Sequence, residues 1–219
     1  MGWFADAYAF LAKGGPVMIP LMACSVISVA VAIERYFTIR RATADSSDLA
    51  RSVEDWLYNG ESELAAAECE KSETPVGTVL AAGIRSRKLG ADRAERIMEE
   101  QAQRVVSSLQ IRLGMLDTIV TIAPLLGLLG TVVGMIRSFH VISSKSGISQ
   151  PTAITGGVAE ALIATATGLA IAIFSVVAYN YLNERIKRSI EIIEIRATHL
   201  VNVLSDIEDR RNEIKSLSA

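Results

Sequence analysis

Between Asp117 and Arg137 the chain reads TIVTIAPLLGLLGTVVGMI (residues 118–136), with no charged side chain. The run is about 20 residues, roughly 30 Å of helix at 1.5 Å per residue, which matches the hydrocarbon core of a bilayer. Two more gaps of this kind lie on either side, one between Lys13 and Glu34 and one between Glu160 and Glu184. The chain is 50% hydrophobic yet 21% charged. A soluble domain of that content spreads its apolar residues through amphipathic elements. Here they are segregated, which predicts an all-α membrane protein with three transmembrane helices.

Working outward, residues 91–140 are expected to form one long helix. Met98, Ala102, Val105, Leu109, Leu113 and Leu116 recur at steps of three and four, an apolar stripe on a charged helix. No glycine–proline break separates that stripe from the second span, placed at about 117–139. Pro124 removes one backbone hydrogen bond and should bend the helix within the membrane. Residues 141–151 read as a short hairpin, and 152–215 as a second long helix whose span covers about 153–181. Beyond Tyr181 this helix turns polar without breaking. Ile186, Ile190, Ile193, Ala197, Leu200, Leu204, Ile207 and Ile214 form a heptad-like seam interrupted at Arg211, which predicts packing against another helix of this chain or of a neighbour.

The first span is expected at 16–36, after an amphipathic arm over 1–15 that carries Trp3, Phe4, Tyr8 and Phe10. Leu21-Met22-Ala23-Cys24 loosely resembles a lipoprotein cleavage box. However, no basic segment precedes it and the apolar run continues to Ile33, so a retained helix is expected. Residues 37–90 read as a soluble helical region, with helices punctuated at Asn59-Gly60, Thr74-Pro75 and Gly90. Arg35, Arg40, Arg41, Arg104, Arg112, Arg185, Lys187 and Arg188 lie on one side of the spans, against Lys13, Arg137 and Lys145 on the other. The positive-inside rule then puts the arm and the hairpin in the periplasm, and the 37–90 region and C-terminus in the cytoplasm.

A net charge of −2 and an aromatic content of 5% offer nucleic acid neither a basic patch nor a stacking platform. The expected surroundings are membrane lipid. His140 and His199 lie far apart, Cys24 and Cys69 read as unpaired thiols, and no metal spacing or phosphate loop is present. No catalysis and no bound cofactor are expected.

Polar groups inside the spans carry the functional reading. Glu160 is the one acid in an apolar stretch, where a carboxylate costs on the order of 2.5–3.5 kcal/mol unless it meets water or a partner. Two readings stay open from the residues alone: snorkelling to the headgroups, or a polar pathway shared with Thr167, seven residues on along the same face. Thr121 and Thr131 add hydroxyls to the second span. Gly127, Gly130 and Gly134, with Gly168 and its small neighbours, allow close helix approach, either within the chain or between subunits.

These residues also support a resemblance. Ile33-Glu34-Arg35-Tyr36-Phe37, Thr74-Pro75-Val76-Gly77, the run Pro124 to Met135 (PLLGLLGTVVGM) and the run Gly157 to Leu169 (GVAEALIATATGL) are together similar to the ExbB/TolQ/MotA proton-channel family, nearest its three-span ExbB and TolQ branches. The resemblance implies a ring-shaped homopentamer around a dimer of an ExbD- or TolR-type single-span partner, whose aspartate carries protons. It implies a stator of a proton-motive-force-driven, rotary motor that energises TonB-dependent transport or a Tol-like envelope process, with a TonB- or TolA-type protein as a further partner. It places Thr131, Glu160 and Thr165 along the ion pathway, Glu160 being the family's glutamate of the third span, and leaves Thr167 as an additional polar pore position. H⁺ is the expected ion, ahead of Na⁺. A stand-alone channel or transporter and a membrane scaffold are the alternatives.

Overall fold

The computed structural model describes residues 14–42, 47–144 and 151–217, and among them every regular element is a helix. These are α1 (Met18–Ala42), α2 (Ser47–Tyr58), α3 (Ser62–Lys71), α4 (Pro75–Ser86), a 3₁₀ turn (Arg87–Leu89), α5 (Ala91–Gln110), α6 (Leu113–Ser144) and α7 (Pro151–Leu217). The N-terminal arm up to Lys13 and the centre of the expected hairpin, residues 145–150, lie outside the described residues.

Among the described residues, three helices are long and apolar enough to cross a membrane, within Met18–Arg40, Leu113–His140 and Thr155–Arg210. α7 has 67 residues, about three times what a bilayer core accommodates. Its charged part, from Glu184 onward, is therefore not hydrocarbon-embedded.

The helix expected over 91–140 is divided in two. Ile111 is extended (φ −50°, ψ 137°) and Arg112 adopts the left-handed conformation at φ 67°. Nothing in the local sequence announces this break, because arginine in that conformation carries a steric cost of about 1–2 kcal/mol. The tertiary structure gives its side chain a partner. Arg112 Nη1 lies 2.6 Å from Glu34 Oε1 of α1, and the Glu34 carboxylate holds the Arg112 guanidinium above its ordinary pKa.

The chain folds as two compact units. The first comprises residues up to Arg35 and from Arg112 to Tyr181; the second comprises Tyr36–Ile111 and residues from Leu182.

In the first unit, Leu21, Ala123 and Ala164 are fully buried among Val17, Met18, Ile119, Ile171 and Ala172. α6 and α7 approach closely because glycines and alanines face each other. A Cβ on Gly134 would lie 2.7 Å from the Gly157 carbonyl oxygen, one on Gly168 2.5 Å from that of Ala123, and one on Gly130 would fall on the Ala164 methyl. Ser28 of α1 and Ser175 of α7 are both fully buried, with hydroxyls 2.6 Å apart. Ser175 donates to the Ile171 carbonyl at 2.8 Å, which leaves Ser28 as the donor between the two helices.

In the second unit, Cys69, Ala65, Ile84, Ala94 and Met98 form a core with Ile193, Leu200 and Leu204 of α7. Ala197 and Ile207 of the seam pack against it as well, whereas Ile214 is 67% exposed. Thr74 opens α4 by accepting a hydrogen bond from the Gly77 N–H at 3.1 Å, with Pro75 in the first turn, where its missing N–H costs nothing. Gly77 packs under Ser72 Oγ and the Cys69 carbonyl, where no Cβ fits. Burial pushes the Cys69 thiol up to about 12.

Candidate functional site

The polar groups of the first unit occupy successive levels of the α1–α6–α7 bundle. Near the start of α1, Glu160 of α7 pairs with Arg137 of α6, Nη1 to Oε1 at 2.7 Å. The Glu160 side chain is 20% exposed and that of Arg137 51%. Gly15, at φ +72°, lies against the Glu160 carboxylate so closely that a Cβ there would coincide with it. The half-buried acid therefore has a partner in its own chain, which lowers its cost in an apolar setting.

About one and a half helical turns further along α7 lies Thr165. Its hydroxyl donates to the Gly127 carbonyl of α6 at 3.0 Å, with a second acceptor, the Ala161 carbonyl, at 3.3 Å. Thr131 donates to the Leu128 carbonyl at 2.6 Å. The two hydroxyls expected to act together thus end on adjacent carbonyls of one turn of α6. Gly127 makes this possible, since a Cβ on it would stand 3.0 Å from the Thr165 Cα.

Thr167 donates to the Ile163 carbonyl of its own helix at 2.8 Å, and Thr121 lies 3.4 Å from the Asp117 carbonyl of its own. Both behave as isolated threonines in an apolar helix usually do. Gly127, Gly130, Gly134 and Gly168 line the α6–α7 crossing inside one chain.

Arg137, Gly15 and the Ser28–Ser175 pair are participants that residue types alone do not reveal. One signal for Arg137 exists. Contacts between α6 and α7 (Ser138 with Gly157, Gly134 with Ala161, Gly130 with Ala164, Gly127 with Gly168) step symmetrically away from the link between the helices. In any antiparallel pair of that register, Arg137 and Glu160 fall at nearly one level.

A model of the MotA/TolQ/ExbB proton channel family matches residues 71–195, which include Thr131, Arg137, Glu160, Thr165 and the glycine-lined crossing. The chain belongs to the MotA/TolQ/ExbB proton channel family. Among its relatives, the Tol-Pal system protein TolQ of Haemophilus influenzae is 32% identical over 187 residues, covering 78% of this chain and 79% of that protein. The biopolymer transport protein ExbB of Aquifex aeolicus is 34% identical over 130 residues, 57% of this chain and 86% of that one. A Synechocystis protein named as ExbB-like is 31% identical over 172 residues, 78% and 68% of the two chains. Membership of a proton-channel family and the three apolar helices together describe a multi-pass membrane protein. Thr131, Thr165, Glu160 and the small-residue crossing all fall in the segment that carries the family likeness.

Proposed function

We infer that this chain is the ring-forming channel subunit of a proton-motive-force-driven stator in the bacterial inner membrane. Five copies surround a dimer of an ExbD/TolR-type partner, with the N-terminus periplasmic and the C-terminus cytoplasmic. The partner's aspartate takes and releases H⁺ beside Thr131 and Thr165. The resulting movement of the partner energises a TonB- or Tol-type envelope process through a TonB- or TolA-type protein. Glu160 acts together with Arg137 as a fixed, paired charge at the periplasmic end, and Thr167 is a further polar position on α7.

The observation that carries this reading is the pairing of Glu160. Glu160, the one acid between Lys145 and Glu184 of the sequence, is already bound to Arg137 at 2.7 Å. The chain's remaining polar groups at mid-span are hydroxyls, which can pass or orient a proton but do not store one at neutral pH. A titrating carboxylate must then come from a second polypeptide. Exposed apolar side chains on α6, such as Leu128 (59%) and Val132 (51%), offer surface for lipid and for such a helix.

The test is reconstitution in proteoliposomes, with and without the single-span, aspartate-bearing partner from the same genome. Proton flux should require both proteins and fall about tenfold, or about 1.4 kcal/mol of barrier, in Thr131→Ala and Thr165→Val. Equal flux from this chain alone, or flux untouched by both substitutions, would refute the assignment.

A further inference from the structure

The second unit carries a surface that the intramembrane site does not use. α5 and the part of α7 beyond Leu182 enclose a groove of about 580 Å³. Met98 and Ala102 of α5 and Ile190 and Ala197 of α7 give it an apolar floor, and Glu99 and Glu194 stand on its rim with Glu95. None of the described residues lining it is basic. The opposite face of α7 carries Arg188 and exposed apolar residues, with Glu184 and Glu191 beside them. At about 100° per residue, Arg188, Ile192 and Ile195 share a stripe that points nearly opposite to Ile190, Glu194 and Ala197. Ile192 is 39% and Ile195 59% exposed. Arg188 pairs with Glu184 of its own helix at 3.3 Å, an exposed i,i+4 contact of small energetic value.

We propose that the acidic groove between α5 and α7 receives the Arg188–Ile192–Ile195 ridge of a second copy of this chain. The proposal rests on the ring reading above and names the contact that would close it. Charge supports it, because an apolar floor rimmed by carboxylates suits an apolar ridge that ends in a guanidinium. Register supports it too. Rotation about an axis normal to the membrane leaves every copy at the same height, and ridge residues 188–195 overlap in level with groove residues 190–197 of the same helix. The two patches differ and lie on opposite faces, so the contact is heterologous. It propagates head to tail and ends only when the ring closes.

Two differently tagged copies are co-expressed with the partner protein, one carrying Gln103→Cys at the groove and the other Ile195→Cys on the ridge. The wild-type chain, with its own Cys24 and Cys69, sets the background. Mild oxidation of membranes should give a disulfide dimer that joins both tags, in clear excess over either variant alone. Arg188→Glu on the ridge copy should cut that yield severalfold, and Glu99→Arg on the groove copy should restore it. If no mixed-tag dimer forms while native mass spectrometry still shows a closed ring, the groove assignment is wrong and the ring survives. A groove cysteine linked to the co-purified partner instead also overturns the assignment. A monomeric particle would remove both readings together.

Discussion

Arg137 Nη1 stands 2.7 Å from Glu160 Oε1, so the one acid between Lys145 and Glu184 and the base that ends the second apolar run neutralise each other across the α6–α7 hairpin. Gly15 closes over the carboxylate from the start of α1. The pair joins three segments that are separate in sequence.

Because each charge answers the other, Glu160→Gln and Arg137→Gln should both weaken energised transport while leaving assembly intact, each by a factor consistent with a partly exposed pair of about 1 kcal/mol. The reversed pair, Arg137→Glu with Glu160→Arg, should recover more activity than either reversal alone. A double-mutant cycle on proton flux measures this. Strict additivity would show that the two residues act separately.

Thr165 provides a hydrogen bond between helices that no isosteric apolar residue replaces. Thr165→Ser should keep the bond to the Gly127 carbonyl and most of the flux. Thr165→Val should lose both, with a stability cost of about 1 kcal/mol. Thermal unfolding in detergent, run beside the flux assay, separates the structural part of the loss from the functional part.

The glycine crossing makes a prediction about volume. Gly130→Ala places a methyl on that of Ala164 and should destabilise the chain by about 1–3 kcal/mol, as overpacking does. Ala164→Gly in the same chain should restore stability. If the double variant is no more stable than Gly130→Ala, the two residues do not touch.

Cys69 offers a pH test in the second unit. Its thiol is raised from 9.0 to about 12 by burial, with Glu70 and Glu68 adding to the effect. A raised folded-state value means that the native form favours the protonated thiol. The associated stability is complete below pH 9 and is lost as the pH climbs from about 9 towards 12. Alkylation of Cys69 in folded protein should stay slow at pH 9, where a free thiol is half ionised. Cys69→Ala should flatten the alkaline loss of stability. Rapid alkylation of the native chain would contradict the burial.

The three apolar helices are legible because charge-free runs of bilayer length rarely arise outside membrane spans, least of all in a chain otherwise 21% charged. The glycines of α6 and the small residues of α7 are legible as surfaces for close approach. Their partner is not, since the same pattern serves a neighbour in the chain or in another subunit. The structure places Gly130 on Ala164 and Gly134 on Gly157 within one chain. The break at Ile111–Arg112 escapes any reading by pattern, because neither residue is a helix breaker. The left-handed residue there pairs with Glu34, 78 positions away in sequence.

By itself, then, the order of residues determined where hydrocarbon can lie, which side chains are polar within it, and which family the chain resembles. These properties are local, set by transfer free energies and by short motifs. Only the tertiary structure decided that Glu160 answers Arg137, that Thr165 leans on Gly127 and that Ser28 donates to Ser175. Each of those bonds depends on the register in which two helices pack, and register is a property of the whole bundle, fixed by where glycine and alanine let the backbones meet.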